Sequence, residues 1–224
     1  ARAAAPALLA ALAAAMPAPA AITWDGGGGN GEFQNPANWN GTDPDAGDDG
    51  TLEDGDLIFA GAVQTSVVVD IDYSGIDSIT FAGDADTFTI DGDGMGDPEQ
   101  LSFNDGASIV NDSTVAGDMT FGGGLELLFT GDATITNNDA NGDSAIVIDS
   151  NILLGGPSDL LIDGTGDVTI NGIITGASSQ LDFQGTGTLT LNGASNYDGG
   201  TSISSGTVLV GDAAAFGTGA VRFL

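Results

Sequence analysis

Carboxylates are the most numerous candidates for chemistry in this sequence, which has 32 Asp and Glu residues against two Lys and Arg residues. Paired carboxylates act as general acid and base in glycoside hydrolysis, and Asp48–Asp49 and Asp70 with Asp72 form such pairs. At this density of Asp, pairs are expected by chance. Asp70 and Asp72 also have the spacing of two side chains on the outer face of one strand, so we expect them to be solvated rather than catalytic.

The missing residue types exclude several reaction classes. Without His or Cys, no Ser–His or Cys–His nucleophile can form, and disulfides and thiolate metal ligands are also excluded. Polysaccharide lyases and pectinase-like hydrolases need Arg, Lys or His beside the substrate, and Arg2 and Arg222 are not placed for that role. We therefore expect no catalytic residue, no cofactor and no enzyme activity.

Three further motifs match a ligand site only in part. Asp91–Asp97 begins like a calcium loop, but Met95 stands where an oxygen ligand belongs and no Glu stands at position twelve. We predict no metal site there beyond weak or incidental ion binding. Gly26–Gly29 lacks the Lys-Ser/Thr of a phosphate loop and follows no predicted strand. Trp24 and Trp39 could stack on sugars, although covering the end of a hydrophobic core is the simpler interpretation.

The net charge of −30 limits the partners of this chain. A chain with almost no cationic surface is not expected to bind nucleic acid or anionic lipid headgroups. Its 41% hydrophobic content argues against disorder. We expect a folded protein that carries its Asp side chains outward.

Residues 1–21 have the features of a secretory signal peptide. Arg2 precedes an Ala- and Leu-rich run that ends in an Ala-x-Ala cleavage pattern at Ala18 and Ala20. The run is shorter than the ~20 apolar residues that span a bilayer. The sequence therefore predicts export, and its first residue, Ala rather than Met, indicates that the natural start lies upstream.

The remaining chain divides into two parts. Residues 22–55 are rich in Gly, Asn and Asp, which predicts a loop-rich N-terminal segment or cap. From residue 56 onward, short segments such as Val67–Tyr73 and Thr188–Asn192 alternate apolar and polar residues and end at Gly, Asn or Asp. This alternation predicts strands, with no helix after the leader.

An internal repeat indicates how these strands are arranged. The segment at 160–172 aligns without a gap on the segment at 181–193, and the two share most of their Gly, Thr and Asn positions. A repeat of this size with strands and no helix must stack on its own copies to bury its apolar side chains. We therefore predict an all-β fold, a parallel β-helix (solenoid) over residues 56–224 with rungs of about 21 residues and roughly eight rungs in all. A sandwich or barrel is the alternative.

The last rungs resemble the passenger-associated repeat of autotransporters, also called the autotransporter-associated β-strand repeat. Residues 185–211 supply its Gly-Thr-Leu-x-Leu strand, a corner with Tyr197 and Gly199–Thr201, and a second strand after Gly206. The segment around the two tryptophans is similar to the start of large exported proteins that carry this repeat. The resemblance implies a right-handed parallel β-helix displayed at the surface of a Gram-negative bacterium, with an outer-membrane barrel later in the same polypeptide.

The function that the resemblance implies is a non-enzymatic structural or adhesive surface module, the β-helical passenger portion of a secreted protein. Its expected partners are a host or matrix surface, or a polysaccharide, and this segment itself is not expected to insert into a membrane. The alternative is the non-catalytic β-helical part of a secreted carbohydrate-active enzyme. Val221–Phe223 alternates like a strand, so we also expect the natural chain to continue beyond Leu224 and cover it.

Overall fold

The fold was analysed in a computed structural model that describes residues 21–224, except residues 41, 48, 53 and 54. The predicted signal peptide comprises residues 1–21. All of it except its last residue, Ala21, lies outside the described residues. Among the described residues the fold consists of strands and turns, with a short 3-10 helix at Pro36–Asn38. The all-β prediction is confirmed.

The strands form two sheets in which every pairing is parallel. The larger sheet contains β1 (Ile22–Trp24), β2 (Asp56–Phe59), β4 (Tyr73–Phe81), β6 (Glu99–Asn111), β8 (Leu125–Phe129), β9 (Ala133–Asn137), β11 (Asn151–Leu154), β12 (Asp159–Gly164), β14 (Ile174–Thr175), β15 (Gln180–Phe183), β17 (Gly200–Ile203) and β19 (Val221–Phe223). The smaller sheet contains β3 (Ser66–Val69), β5 (Phe88–Gly92), β7 (Met119–Phe121), β10 (Ile146–Ile148), β13 (Val168–Ile170), β16 (Thr188–Leu191) and β18 (Thr207–Val210).

The chain passes back and forth between the two sheets, sometimes after two successive strands of the larger sheet such as β8 and β9, and strands pair with strands of the neighbouring turns. The main path of the larger sheet runs β1-β2-β4-β6-β9-β12-β15-β17-β19, and the smaller sheet runs β3-β5-β7-β10-β13-β16-β18. This topology is a parallel β-helix, as predicted. The long strands β4 and β6 also join a further ladder of β8, β11 and β14 to the larger sheet. Gly75 and Gly106, with φ of 87° and 78°, lie in these long strands.

The length of a rung varies more than the sequence repeat indicates. Leu160 pairs with Leu181, so the rung predicted from the repeat is present in that part of the chain. Phe88, however, pairs with Met119, which makes the rung between them considerably longer. The strands keep their register while the turns between them differ in length, because only the strands must stack on their neighbours.

Inward-facing side chains form continuous apolar ladders. One ladder in the larger sheet consists of Ile22, Leu57, Ile79, Ile109, Ile135, Ile162, Phe183, Ile203 and Phe223. From Leu57 to Phe223 these are eight rungs, the number expected for residues 56–224. The side chains are buried except at the end of the ladder, where Phe223 is 78% exposed. Each buried aliphatic side chain contributes about 2 kcal/mol.

Aromatic side chains close the N-terminal end of this core. Trp24 and Trp39 are fully buried, with ring centroids 5.0 Å apart in an edge-to-face arrangement. Trp24 also packs on Phe59 of the next rung, at 5.9 Å. Their burial supports the covering role and leaves neither ring free to stack on a sugar. Because β1 already pairs with β2, the stacked strands begin at Ile22, within the loop-rich N-terminal segment.

Candidate functional site

Three carboxylates line a shallow depression of about 260 Å³ on the outer surface of the larger sheet. Asp132 lies just before β9, Asp159 begins β12, and Asp182 lies in β15. The strand register pairs Asp159 with Gln180, which lies in the same strand as Asp182, and β12 pairs with β9, which Asp132 precedes. The three carboxylates therefore come from three successive rungs. We call this depression the acidic groove.

Hydrogen bonds hold two of the three carboxylates of the acidic groove, those of Asp132 and Asp182. The backbone N–H of Asp159 donates to Oδ1 of Asp132 at 2.9 Å, and the backbone N–H of Asp132 donates to Oδ1 of Asp105 at 3.0 Å. Gln180 Nε2 donates to Oδ2 of Asp182 at 3.3 Å. The other oxygen of Asp182, Oδ1, is buried and accepts no hydrogen bond from the described residues.

The crowding of carboxylates changes the acidity of Asp159. Partial burial raises the pKa of Asp159, and the charges of Asp132 and Asp182 raise it further. A carboxyl with a raised pKa can hold a proton, which is the property of a general acid. In residues 21–224, apart from the four that are not described, no three acidic side chains are arranged to hold a metal ion.

Outside the groove, many outward carboxylates are paired with amides of a neighbouring rung. Asn171 Nδ2 donates to Oδ1 of Asp149 at 2.6 Å, and Asn192 Nδ2 donates to Oδ1 of Asn171 at 2.6 Å. Similar pairs are Gln34–Asp70, Gln100–Glu126, Asn104–Asp77 and Asn138–Asp112. These amide–carboxylate ladders provide carboxylates with hydrogen-bond donors in a chain that has very few cations.

A buried carboxylate organises the loop between β9 and β10. Asp139 is 3% exposed; its Oδ1 accepts from the N–H of Asn141 at 2.8 Å, and its Oδ2 accepts from the N–H groups of Asp143 and Ser144, also at 2.8 Å. Burial by itself would raise the pKa of Asp139, but the N–H groups of Asn141, Ser144, Asp143 and Gly142 together lower it. The carboxylate is therefore held in its charged form by backbone dipoles.

Asp70 and Asp72, one of the acidic pairs singled out in the sequence, are not drawn into a site. Asp70 and Asp72 are exposed, as expected. Asp70 accepts from Gln34 Nε2 at 2.6 Å, and Asp72 accepts from the N–H of Gln100 at 2.7 Å. Asp48 lies outside the described residues, so its pairing with Asp49 is not described.

The partial calcium loop is divided between two structural roles. Asp91 Oδ1 accepts from the N–H of Gly124 in the next rung at 2.9 Å. Asp93 Oδ1 accepts from the N–H of Met95 at 2.6 Å, and the Met95 side chain is 86% exposed. The first two carboxylates of the motif therefore point to different backbone partners.

The glycine run near the N-terminus forms a turn that is tied to its neighbours. Gly27 N–H donates to Oδ1 of Asp25 at 2.9 Å, and Gly28 N–H donates to Oδ1 of Asn38 at 2.8 Å. One residue, Asp25, separates the run from the end of β1, so the expectation that no strand precedes it was wrong. Because side chains of the protein already occupy these N–H groups, they are not open to a phosphate.

A tyrosine and two glycines shape the corner near the C-terminal end. The hydroxyl oxygens of Tyr197 and Thr201 lie 2.7 Å apart, and the Tyr197 side chain is fully buried. Burial raises the pKa of Tyr197. Gly199 lies so close to the rung below that a Cβ would come within 2.5 Å of the Ser179 carbonyl oxygen, and Gly206 has a φ of 73°. These glycines are required by close packing and by left-handed backbone, respectively.

Comparison with known proteins identifies this part of the chain. The family model of the passenger-associated-transport-repeat matches residues 184–210. This part of the chain is similar to that repeat. The repeat spans β16, the Tyr197 corner, β17 and β18, and it confirms the resemblance on which the autotransporter assignment rests.

The passenger-associated-transport repeat supports an autotransporter passenger, and its family implies secretion or surface display. The match covers a small part of the chain. No curated protein and no solved structure matched the chain. Among the described residues, no helix has the length and apolar character needed to cross a membrane.

The sequence did not point to the acidic groove or to the Asp139 loop. Asp132, Asp159 and Asp182 are separated by turns of different length, so their proximity depends on strand register. Asp45 organises its own loop in a similar way, because it is also buried and accepts from the N–H of Gly50 at 2.7 Å.

Proposed function

We propose that this chain is a non-enzymatic structural or adhesive module, the β-helical passenger portion of an autotransporter-like surface protein. The observation that carries the proposal is the passenger-associated-transport repeat at residues 184–210, which lies in register with the rest of the helix. Export through the signal peptide at residues 1–21 is part of the proposal.

The chemistry of the outer surface supports a non-enzymatic role. Many outward carboxylates are engaged by amides and backbone N–H groups of neighbouring rungs. The acidic groove holds the strongest candidate for acid–base chemistry, Asp159, but the described residues that line the groove include no Arg, Lys or His beside the carboxylates.

The alternative, a non-catalytic part of a carbohydrate-active enzyme, receives less support. Trp24 and Trp39, the two rings that could stack on sugars, are both fully buried. A polysaccharide, or a host or matrix surface, remains in the proposal as a partner of the outer surface rather than of these rings.

The test measures turnover and binding with the same purified protein. The 224-residue chain is incubated with acidic and neutral polysaccharides, and new reducing ends and unsaturated uronates are measured. We expect no turnover by the chain or by Asp159→Asn. Turnover that Asp159→Asn abolishes would refute the non-enzymatic assignment.

The adhesive part is tested by surface retention of the chain on immobilised matrix proteins and polysaccharides, with the heat-unfolded chain as the control. Retention that requires the folded chain supports adhesion. The absence of retention on all these surfaces, together with the absence of turnover, leaves the structural role as the assignment.

A further inference from the structure

The loop between β9 and β10 presents an Asn-Gly pair, Asn141–Gly142, whose amide is free. Both residues are exposed. The backbone N–H of Asn141 is bound to Asp139, but its side-chain amide makes no hydrogen bond to any residue that the structure describes. A Cβ at Gly142, where φ is 75°, would meet nothing within 4 Å. The Asn141 side chain is therefore free and there is space around Gly142, whose backbone N–H interacts with the Asp139 carboxylate.

Asn-Gly pairs are chemically special because glycine has no side chain to hinder its backbone nitrogen. That nitrogen can attack the Asn side-chain carbon and close a five-membered ring. The reaction requires the side-chain amide to rotate away from any partner and the glycine nitrogen to approach it. Hydrogen bonds to the amide and tight packing of the glycine both oppose these movements.

Two other Asn-Gly pairs in the chain are held by the amide–carboxylate ladders. Asn171 donates to Asp149 and accepts from Asn192, both at 2.6 Å. Their glycines are packed against the preceding rung, because a Cβ at Gly172 would collide with the Ser150 carbonyl oxygen and one at Gly193 would collide with that of Gly172.

The Asn30 side chain is held in a similar way, near the N-terminus. Asn30 Nδ2 donates to Oε2 of Glu32 at 2.7 Å, and its Oδ1 accepts from Asn35 Nδ2 at 2.8 Å and Asn38 Nδ2 at 3.1 Å. The remaining pair, at residues 40 and 41, includes a residue outside the described part of the chain.

We propose that Asn141 is a site of spontaneous deamidation in the folded protein, and that it reacts before Asn30, Asn171 and Asn192. The nitrogen of Gly142 forms a bond to Cγ of Asn141 and loses its proton to solvent. The side-chain nitrogen takes up a proton and leaves as ammonia. Water then opens the cyclic imide at one of its two carbonyls, which produces aspartate or isoaspartate.

The product changes the loop that Asp139 organises. Isoaspartate inserts an additional backbone carbon between residue 141 and Gly142, directly within the run of N–H groups that Asp139 accepts. Either product also adds a carboxylate close in sequence to both Asp139 and Asp143. We therefore expect the modified loop to bind the Asp139 carboxylate less well and to be cleaved more readily by protease.

The experiment is peptide mapping by mass spectrometry of the 224-residue chain after incubation in mildly alkaline buffer, with isoaspartate detected by its separate elution. We expect deamidation at Asn141 to be several-fold faster than at Asn30, Asn171 or Asn192. In denaturant these four sites should react at similar rates. Asn141→Gln should abolish the fast phase while circular dichroism stays unchanged.

A second variant tests the protective role of the ladder. Asp149→Ala removes the acceptor of the Asn171 amide and should raise the rate at Asn171 relative to Asn192. Equal rates at the four sites in the folded chain, or a first reaction at Asn171 or Asn192, would overturn the proposal. The proposal would also be overturned if Asn141 in the folded chain reacted no faster than Asn30, Asn171 and Asn192, whose side chains are hydrogen-bonded.

Discussion

At the scale of single residues, Asp139 shows how this protein keeps a buried charge without a cation. Its two oxygens accept three backbone N–H groups from the same loop, and these bonds lower its pKa. A lowered pKa means that the folded chain holds the carboxylate ionised at a pH where the unfolded chain binds a proton. The resulting stability is present above the ordinary Asp pKa of 3.8 and is lost as the pH falls through the folded value.

We therefore predict that Asp139→Asn destabilises the protein at neutral pH by about 1–3 kcal/mol, the cost of leaving a buried donor poorly satisfied. The difference from the unsubstituted chain should shrink below the ordinary Asp pKa. Thermal unfolding followed by circular dichroism across this pH range measures the effect. Asp143→Asn, on an exposed side chain of the same loop, is the control and should change the melting temperature little.

Asp159 in the acidic groove is the opposite case, because its pKa is raised. The folded chain binds this proton at a higher pH than the unfolded chain, so stability decreases as the pH rises above the ordinary value of 3.8. We predict that Asp159→Asn raises the melting temperature at neutral pH. The gain in stability should be less than about 1 kcal/mol because the Asp159 side chain is exposed to solvent. The gain should disappear in acid.

Differential scanning calorimetry at neutral and acidic pH tests the Asp159 prediction. Asp163→Asn, an exposed carboxylate on the same strand, is the matched control. A lower melting temperature for Asp159→Asn at neutral pH would contradict the repulsion that the groove implies.

At the scale of the strands, the rung between Leu160 and Leu181 is a removable unit. Removing residues 160–180 would bring Leu181 to the position of Leu160, above Ala133. Because apolar residues then still face inward, we predict a folded, shorter rod. Removing residues 160–169 would delete most of β12 and β13, place the strands that follow out of phase and turn inward side chains outward.

Limited proteolysis and circular dichroism of the two deletions check this prediction. The in-phase deletion should keep the β signal and the protease resistance of the full chain. Equal resistance of the out-of-phase deletion would show that the rungs are not the repeating unit of the fold.

The same rungs explain which features could be predicted from the sequence. The match between residues 160–172 and 181–193 predicted the parallel stacking correctly. The strands of the two segments pair with each other, β12 with β15 and β13 with β16, and positions that stack on each other hold similar residues. The strand β1 was missed since it is three residues long and followed by a glycine run. The acidic groove could not be found because Asp132 and Asp159 are separated by a longer rung than Leu160 and Leu181.

At the scale of the whole molecule, unbalanced charge opposes the compact state. Folding brings outward carboxylates of adjacent rungs together, and two unit charges ~5 Å apart at an effective dielectric of ~20 repel by roughly 3 kcal/mol before screening. The amide–carboxylate ladders provide hydrogen bonds but no positive charge. The apolar ladders must exceed this repulsion, and dissolved cations should lessen it.

We predict that the melting temperature rises with NaCl up to molar concentration, and that calcium or magnesium has the same effect at lower concentration, as diffuse counterions. Thermal unfolding of the 224-residue chain in low and high salt measures this. The sulfate of the same cation serves as a control for anion effects. A transition that neither sodium nor calcium moves would show that the outer carboxylates are too well solvated to matter.

The variable length of the rungs has a practical consequence for protein engineering. The turn after β5 lengthens the rung between Phe88 and Met119 without disturbing the register of β5 and β7, and a Cβ at Gly94 or Gly96 in this turn would meet no other atom within 4 Å. Foreign peptides grafted at Met95 would project from the rod while the ladders beneath stay intact. The protein thus offers a scaffold on which an antigen or affinity tag can be presented at a defined height along a rigid stem.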